Sequence, residues 1–300
     1  MHYFLALIIF CAVLFLYLHI YFHLKTSDDL EVYTIERPSK EKLEEICDLR
    51  QPVIFTYDNK ELITTCTLDN MNVNYNAFDV KVRNNKDDDS DVTELYIPLQ
   101  LDKTIELLKK DTESKYFIED NSDFLNETGL VRVFRYNDLF LRPYLVSKCM
   151  YDFCSGSKNC ITPLRYTPNY RHYVYITGGE VSVKLIPPTA TKYLHLVEDY
   201  DNFEFRSPIN VWNVQDEYKK DFGKLKALEV RLKKNDILFI PAYWWYSIRY
   251  EDIANICSFK YRTYMNTVAM APSLIISTLQ SLNTKHNVVE KVSDDKDKIK

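Results

Sequence analysis

The stretch that most constrains this chain is Lys234 to Tyr250, KNDILFIPAYWWYSIRY. A polar turn (Lys233, Lys234, Asn235, Asp236) leads into an apolar run, Ile237 to Ile240. Pro241 interrupts that run, because proline has no N–H to give to a strand ladder. A second strand starts at Trp244. Two such runs joined through a proline corner predict adjacent strands of a β-barrel, with Tyr243, Trp244 and Trp245 lining or capping its mouth. Standing alone, the same residues would suit an ordinary core hairpin.

The N-terminus carries a different physical signal. Tyr3 to Phe22 is apolar except for His19, and about twenty helical residues at ~1.5 Å each span ~30 Å, the hydrocarbon thickness of a bilayer. Residues 1–24 therefore read as a single-pass transmembrane anchor and localise the protein to a membrane. A signal peptide would need a basic start and small residues at a cleavage site, whereas Tyr21, Phe22 and His23 close this run. Tyr17, Tyr21 and His23 suit the interface. Lys25 is followed by Asp28, Asp29 and Glu31, which leaves the orientation open.

Residues 25–36 form a polar tether, 37–284 the main domain with its barrel core at about 161–262, and 285–300 a charged tail with too few apolar residues to fold alone. Three hundred residues are enough for a sizeable core. The formal charge of -5 and the lack of a basic run exclude a nucleic-acid footprint. Five glycines beside 23 tyrosines and 16 phenylalanines match an A+T-rich coding sequence, as in some large DNA viruses and protists. Outside the anchor the cysteines are Cys47, Cys66, Cys149, Cys154, Cys160 and Cys257; no Cys-x-x-Cys pair occurs, so zinc is disfavoured. Asn126-Glu127-Thr128 is a glycosylation sequon, relevant only to a lumenal domain.

Within the domain, Ser39 is placed to cap a helix, and Val53 to Tyr57 reads as a strand. A mixed segment from 61 ends in a strand near Phe78 to Val82; Asn84 to Asp91 is a charged loop; Leu101 to Lys110 is an amphipathic helix on the barrel's outside. Lys115 to Ile118 is a short strand. The barrel strands are expected near Tyr173–Thr177, Val181–Ile186, Asn210–Asn213, Ala227–Leu232, Ile237–Ile240, Trp244–Tyr250 and Ile253–Tyr261, with Gly178-Gly179 as a hairpin turn. Ser273 to Leu282 is a helix.

The phrase Asp236-Ile-Leu-Phe-Ile-Pro-x-Tyr-Trp-Trp245 resembles the signature of JmjC and cupin-like hydroxylases, in particular the asparaginyl-hydroxylase branch. The resemblance implies a mainly β fold, a double-stranded β-helix (cupin or jelly-roll) with flanking helices. It also implies Fe(II) and 2-oxoglutarate, the iron held by two His and one carboxylate on one face. In that family a His-x-Asp pair follows a Thr-Pro, and here Thr162-Pro163-Leu164 is followed by Arg165-Tyr166-Thr167. Arg165 and Thr167 thus stand at two ligand positions, and Tyr246 or Ser247 at the third. The family's 2-oxoglutarate lysine falls on Glu180 or Val181, a late-strand asparagine on Ser258, and a co-substrate tyrosine on Tyr116. Thr162 is retained. His172 and His195 begin no His-x-Asp or His-x-Glu and read as satisfied surface or core histidines.

These departures imply a degenerate site with no metal or catalytic residue and no cofactor, a pseudoenzyme serving as a binding or structural module. The alternatives are an Fe(II)/2-oxoglutarate-dependent protein hydroxylase with non-standard ligands, or a cupin that takes a sugar or nucleotide. The partners expected are the membrane, an unidentified protein and, through Ser273 to Leu282, a second copy. An inward Arg165 must find an anion, either Glu180 across the pocket or another partner.

Overall fold

The computed structural model describes residues 2–85 and 96–284. The charged loop expected at Asn84 to Asp91 lies mostly outside the described residues, and the 285–300 tail wholly so. Helix α1 (His2–Leu24) is followed by β1 (Tyr33–Ile35), α2 (Lys40–Cys47), β2 (Val53–Thr56), α3 (Lys60–Thr65) and α4 (Leu68–Tyr75). Next come β3 (Asp79–Asn84), β4 (Ile97–Gln100), α5 (Leu101–Lys110), β5 (Tyr116–Ile118), α6 (Ser122–Glu127) and α7 (Val131–Asn137). The strands β6 (Val146–Gly156), β7 (Leu164–Tyr166), β8 (Arg171–Gly178), β9 (Glu180–Ile186), β10 (Val197–Asp199) and β11 (Glu204–Ser207) precede α8 (Lys219–Phe222). The chain closes with β12 (Leu228–Lys233), β13 (Asp236–Pro241), β14 (Trp245–Tyr250), β15 (Ala254–Thr263), α9 (Tyr264–Ala269) and α10 (Ala271–Thr284).

Two sheets face one another as a β-sandwich. The larger runs β1-β2-β13-β8-β15-β6-β5-β3-β4 and the smaller β10-β11-β7-β14-β9-β12. From β6 to β9, and again from β13 to β15, successive strands switch sheets, so the connections are corners. The turn at Gly178-Gly179 is one of them, and it joins two sheets where a hairpin was expected. Gly179 suits it: its φ is +76°, and a Cβ there would lie 2.7 Å from the Ala254 Cα. Pro241 is the last residue of β13, at another such corner.

Strand alternation sorts the core into layers. On β8, Tyr173 and Tyr175 face the outer helices with Phe55, Phe134 and Phe259. Val174 and Ile176 face inward with Val183, Leu238 and Trp244. Trp245 packs in a third cluster with Leu164 and Ile186, and its Nε1 donates to Thr191 Oγ1 at 2.8 Å. Both tryptophans are fully buried, so they are packing groups and not the rim of a mouth.

Local signals account for most of the helices. Ser39 accepts the Lys42 N–H at 3.2 Å, the expected cap. Leu101, Ile105 and Leu108 form the buried stripe of α5. The strand expected at Asn210–Asn213 is absent, because Asn210 Oδ1 accepts the N–H groups of Trp212 (3.0 Å) and Asn213 (3.1 Å) and turns the chain. Its place in the smaller sheet is taken by β11, which pairs with β7.

Helix α1 is long and apolar enough to cross a membrane. It is exposed along its length except near His19, Ile20 and His23, and it packs against α9. Arg50 caps its end by donating to the carbonyls of Phe22 (3.2 Å), His23 (3.4 Å) and Lys25 (3.5 Å). The Arg50 guanidinium also lies over the rings of Phe22 and Tyr170. The polar tether is shorter than the sequence implies, because Tyr33–Ile35 pairs with Val53–Phe55 as a parallel edge strand.

Candidate functional site

A cavity of about 700 Å³ opens between the sheets. The register of β7 and β14 sets its charged wall, for Tyr246 lies directly opposite Arg165. Arg165 points inward, with its Cζ 5.7 Å from the centre of the Tyr246 ring. Its guanidinium pairs with two carboxylates. Arg165 Nη1 donates to Glu119 Oε1 and to Glu204 Oε1, each at 3.0 Å, and Nη2 forms a further bond to Glu119 Oε2.

A second arginine completes the cluster. Arg83 Nη1 lies 3.0 Å from Glu119 Oε1 and 3.0 Å from Glu204 Oε1. The Tyr96 hydroxyl donates to Glu119 Oε1 at 3.3 Å. The guanidinium groups of Arg165 and Arg83, with Arg206 Nη1 at 3.9 Å from Glu204 Oε2, thus meet two carboxylates in a site where single buried charges would be strongly disfavoured. Burial alone would raise the Glu119 carboxyl, but Arg165 and Arg83 overcome it and lower its pKa to about 2.

Thr162, Arg165, Thr167, Tyr246 and Ser258 all line the cavity. Thr162 Oγ1 accepts the Ile248 N–H at 2.9 Å, and Thr167 Oγ1 accepts from Asn169 Nδ2 at 2.7 Å. Ser258 Oγ is 3.0 Å from His172 Nε2. His172 is buried as expected, yet it also lines the cavity, and burial lowers its pKa well below the usual histidine value. His195 is a surface residue paired with Asp221 at 3.3 Å.

Three expected site residues lie elsewhere. Tyr116 packs toward the outer helices, because alternation along β5 sends Phe117 and Glu119 inward in its stead. Ser247 follows Tyr246 and so faces the other way, where it accepts from Trp212 Nε1 at 3.0 Å and donates to the Thr162 carbonyl at 2.6 Å. Glu180 is the first residue of β9, between β14 and β12, and pairs with Arg231 at 2.6 Å, the two side chains 46% and 70% exposed. The pairing of Glu180 with Arg165 is therefore replaced by one with Glu119 and Glu204. Sequence reasoning missed both acids. Parity with buried Phe117 could have pointed to Glu119, while Glu204 lies on a strand too short and polar to stand out.

The chemistry of these donors is clear. A guanidinium, an aliphatic hydroxyl and a phenol, at the three positions that the resemblance assigns to ligands, are not the imidazoles and carboxylate that Fe(II) takes. Among the described residues, no group of three or more His, Cys, Asp and Glu side chains is placed to hold a metal ion. These residues do not fit the metal. A family model described as "Cupin-like domain" matches residues 38–262. No curated protein matches the chain.

Proposed function

The chain belongs to the cupin-like domain family, and from that premise we propose that it is a membrane-anchored, non-catalytic binding module. The observation that carries this reading is the Arg165 cluster. Arg165 stands where the resemblance puts the first ligand, and it brings its own positive charge, already paired with Glu119 and Glu204. A dication added beside two guanidinium groups would meet repulsion and no free donor set. The alternation of β6 to β9 and β13 to β15 between the sheets supports a double-stranded β-helix as the scaffold.

The anchor in this reading is α1, supported by its apolar length. Partner binding falls to the outer surface. Ile275, Leu279 and Leu282 are exposed and follow one stripe of α10, which supports that helix as the contact for a second copy.

The test is Fe(II) binding at equilibrium by the full chain in a nonionic detergent, anaerobically and with 2-oxoglutarate present. Metal no higher than background is the expected result. Stoichiometric iron would overturn the proposal in favour of a hydroxylase with non-standard ligands.

A further inference from the structure

A band of exposed apolar residues lies where α1 leaves the domain. Most of α1 is exposed, but its last turns, around His19, Ile20 and His23, are covered, and it packs against α9. On α9, Tyr264 and Val268 are exposed and, four residues apart, share one face. The Tyr264 N–H donates to the Leu145 carbonyl at 3.2 Å, and Ser147 Oγ lies 2.8 Å from Thr267 Oγ1, so the loop that leads into β6 lies against α9. That loop presents Leu139, Tyr144 and Leu145 to the outside.

Folding alone gives no reason for this display. Leu145 has a φ of +54° and is the one aliphatic residue among the described non-glycine residues in the left-handed region. That conformation crowds a side chain against its own backbone. The leucine is 77% exposed, so little packing within the domain offsets the strain. The loop is nevertheless held in place. Lys40 Nζ donates to the carbonyls of Leu139 (2.6 Å) and Arg142 (3.0 Å) and lies 5.4 Å from the centre of the Tyr144 ring, and Arg142 pairs with buried Asp138 at 2.6 Å.

Charge follows the same outline. The chain has 43 acidic residues in 300, yet residues 139–150 and 263–270 contain none, and the charged residues there are Arg142 and Lys148. Asp138, just before the loop, is engaged by Arg142 and by the hydroxyls of Tyr151 and Tyr261. Glu44 and Asp48, close in the chain to Arg50, pair with Arg171.

We propose that the face formed by Leu139, Tyr144, Leu145, Tyr264 and Val268 rests in the headgroup layer of a lipid bilayer. Aromatic and aliphatic side chains beside acid-free, cationic chain segments have the composition of a surface at that depth. Lys40 and Lys148 have stems long enough to lie along the apolar band while their ammonium groups reach lipid phosphates. Lipid is the occupant because α1, the apolar helix, is packed on the very element that carries Tyr264 and Val268. The inference rests on the membrane-anchored reading and adds to it a second, lateral contact between domain and lipid.

The test is fluorescence of the full chain reconstituted into vesicles of phosphatidylcholine and phosphatidylserine, the phosphatidylcholine brominated on its acyl chains in one arm and plain in the other. Leu145→Trp and Tyr264→Trp each add a reporter to the three native tryptophans, and Tyr264→Trp serves should the loop not accept the larger ring. Ile97→Trp is the control, because exposed Ile97 lies on β4, which β3 and β5 join to the far end of β6, ~30 Å from Leu145. The emission added by the two reporters should be largely lost in brominated vesicles, and that of Ile97→Trp retained. An alkaline carbonate wash followed by flotation reads the anchor separately. A chain that stays with the vesicles while both reporters are quenched no more than Ile97→Trp overturns this inference and leaves the anchor standing. A chain stripped from the vesicles overturns both. Reporters blue-shifted alike in the two lipids, without quenching, mean that a second copy covers the face, and this too overturns the inference.

Discussion

Replacing Arg165 with methionine should expose how much the buried charge cluster holds the barrel together. In the wild-type cluster Glu119 is paired with Arg165 and Arg83, and Glu204 with Arg165, Arg83 and, at 3.9 Å, Arg206, so Arg165→Met takes one guanidinium from each carboxylate and leaves Glu119 buried with Arg83. Glu119→Gln takes one carboxylate from both Arg83 and Arg165. Removing one partner of a buried pair costs about 3–5 kcal/mol, mostly because the other charge stays buried. For a domain of this size each kcal/mol moves the melting midpoint by roughly 2–4 °C, so each single variant should melt roughly 6–20 °C lower. The double variant removes one charge of each sign and leaves Glu204 with Arg83 and Arg206. Its loss should fall short of the summed single losses by about 1–3 kcal/mol, the coupling of groups in one network. The assay is thermal unfolding of the full chain in detergent followed by circular dichroism, with Glu180→Gln as an exposed control. Strictly additive losses, or an Arg165→Met variant as stable as the control, would refute the cluster as a structural unit.

Three further outcomes follow from the same structure. Because the Glu119 carboxyl is lowered from 4.5 to about 2, its contribution is present above pH 4.5 and is lost as pH falls toward 2; midpoints measured across that window should drop, and less so in Glu119→Gln. Gly129 and Gly179 share a positive φ, +75° and +76°, but an added Cβ meets nothing at Gly129 and sits 2.7 Å from the Ala254 Cα at Gly179. Gly129→Ala should therefore cost about 1 kcal/mol and Gly179→Ala a further ~1–3 kcal/mol, and equal losses in urea denaturation would sink the steric account. Arg50→Ala removes the cap on α1, so trypsin should cut after Lys25 faster while the domain's midpoint hardly moves; an unchanged cutting rate would count against the cap.

Much of the sandwich is legible in the sequence because its strands are long apolar runs. Arg171–Gly178, Asp236–Pro241 and Ala254–Thr263 are buried on both faces and announce themselves by Val, Ile, Tyr and Phe. What stays hidden is which strand pairs with which. Gly178-Gly179 has hairpin chemistry, yet β8 finds β13 and β15 while β9 finds β12 and β14. Strand β11, Glu-Phe-Arg-Ser, carries one apolar residue and owes its existence to β7 and β10. The site divides in the same way. An inward Arg165 follows from its place on β7, but its two acids lie 46 residues before it and 39 residues after it in the chain, and only the fold brings them together. Glu180 went astray because being aligned with a pocket residue does not fix the side of the strand it faces.

The joint between α1 and the domain has a mechanical meaning. Eight residues, 25–32, separate the helix from β1, and the segment is tied down, with Gln51 donating to Asp29 at 2.7 Å and the Thr189 N–H to Asp28 at 3.3 Å. A domain on a slack cord samples a hemisphere and meets its targets by chance heading. In the membrane-anchored reading proposed above, one bolted at the helix exit keeps a single side turned to the bilayer and holds the others at a set height. Encounters with neighbours in the same membrane are then planar and pre-aimed, so they follow the number of molecules per unit area and not the bulk concentration.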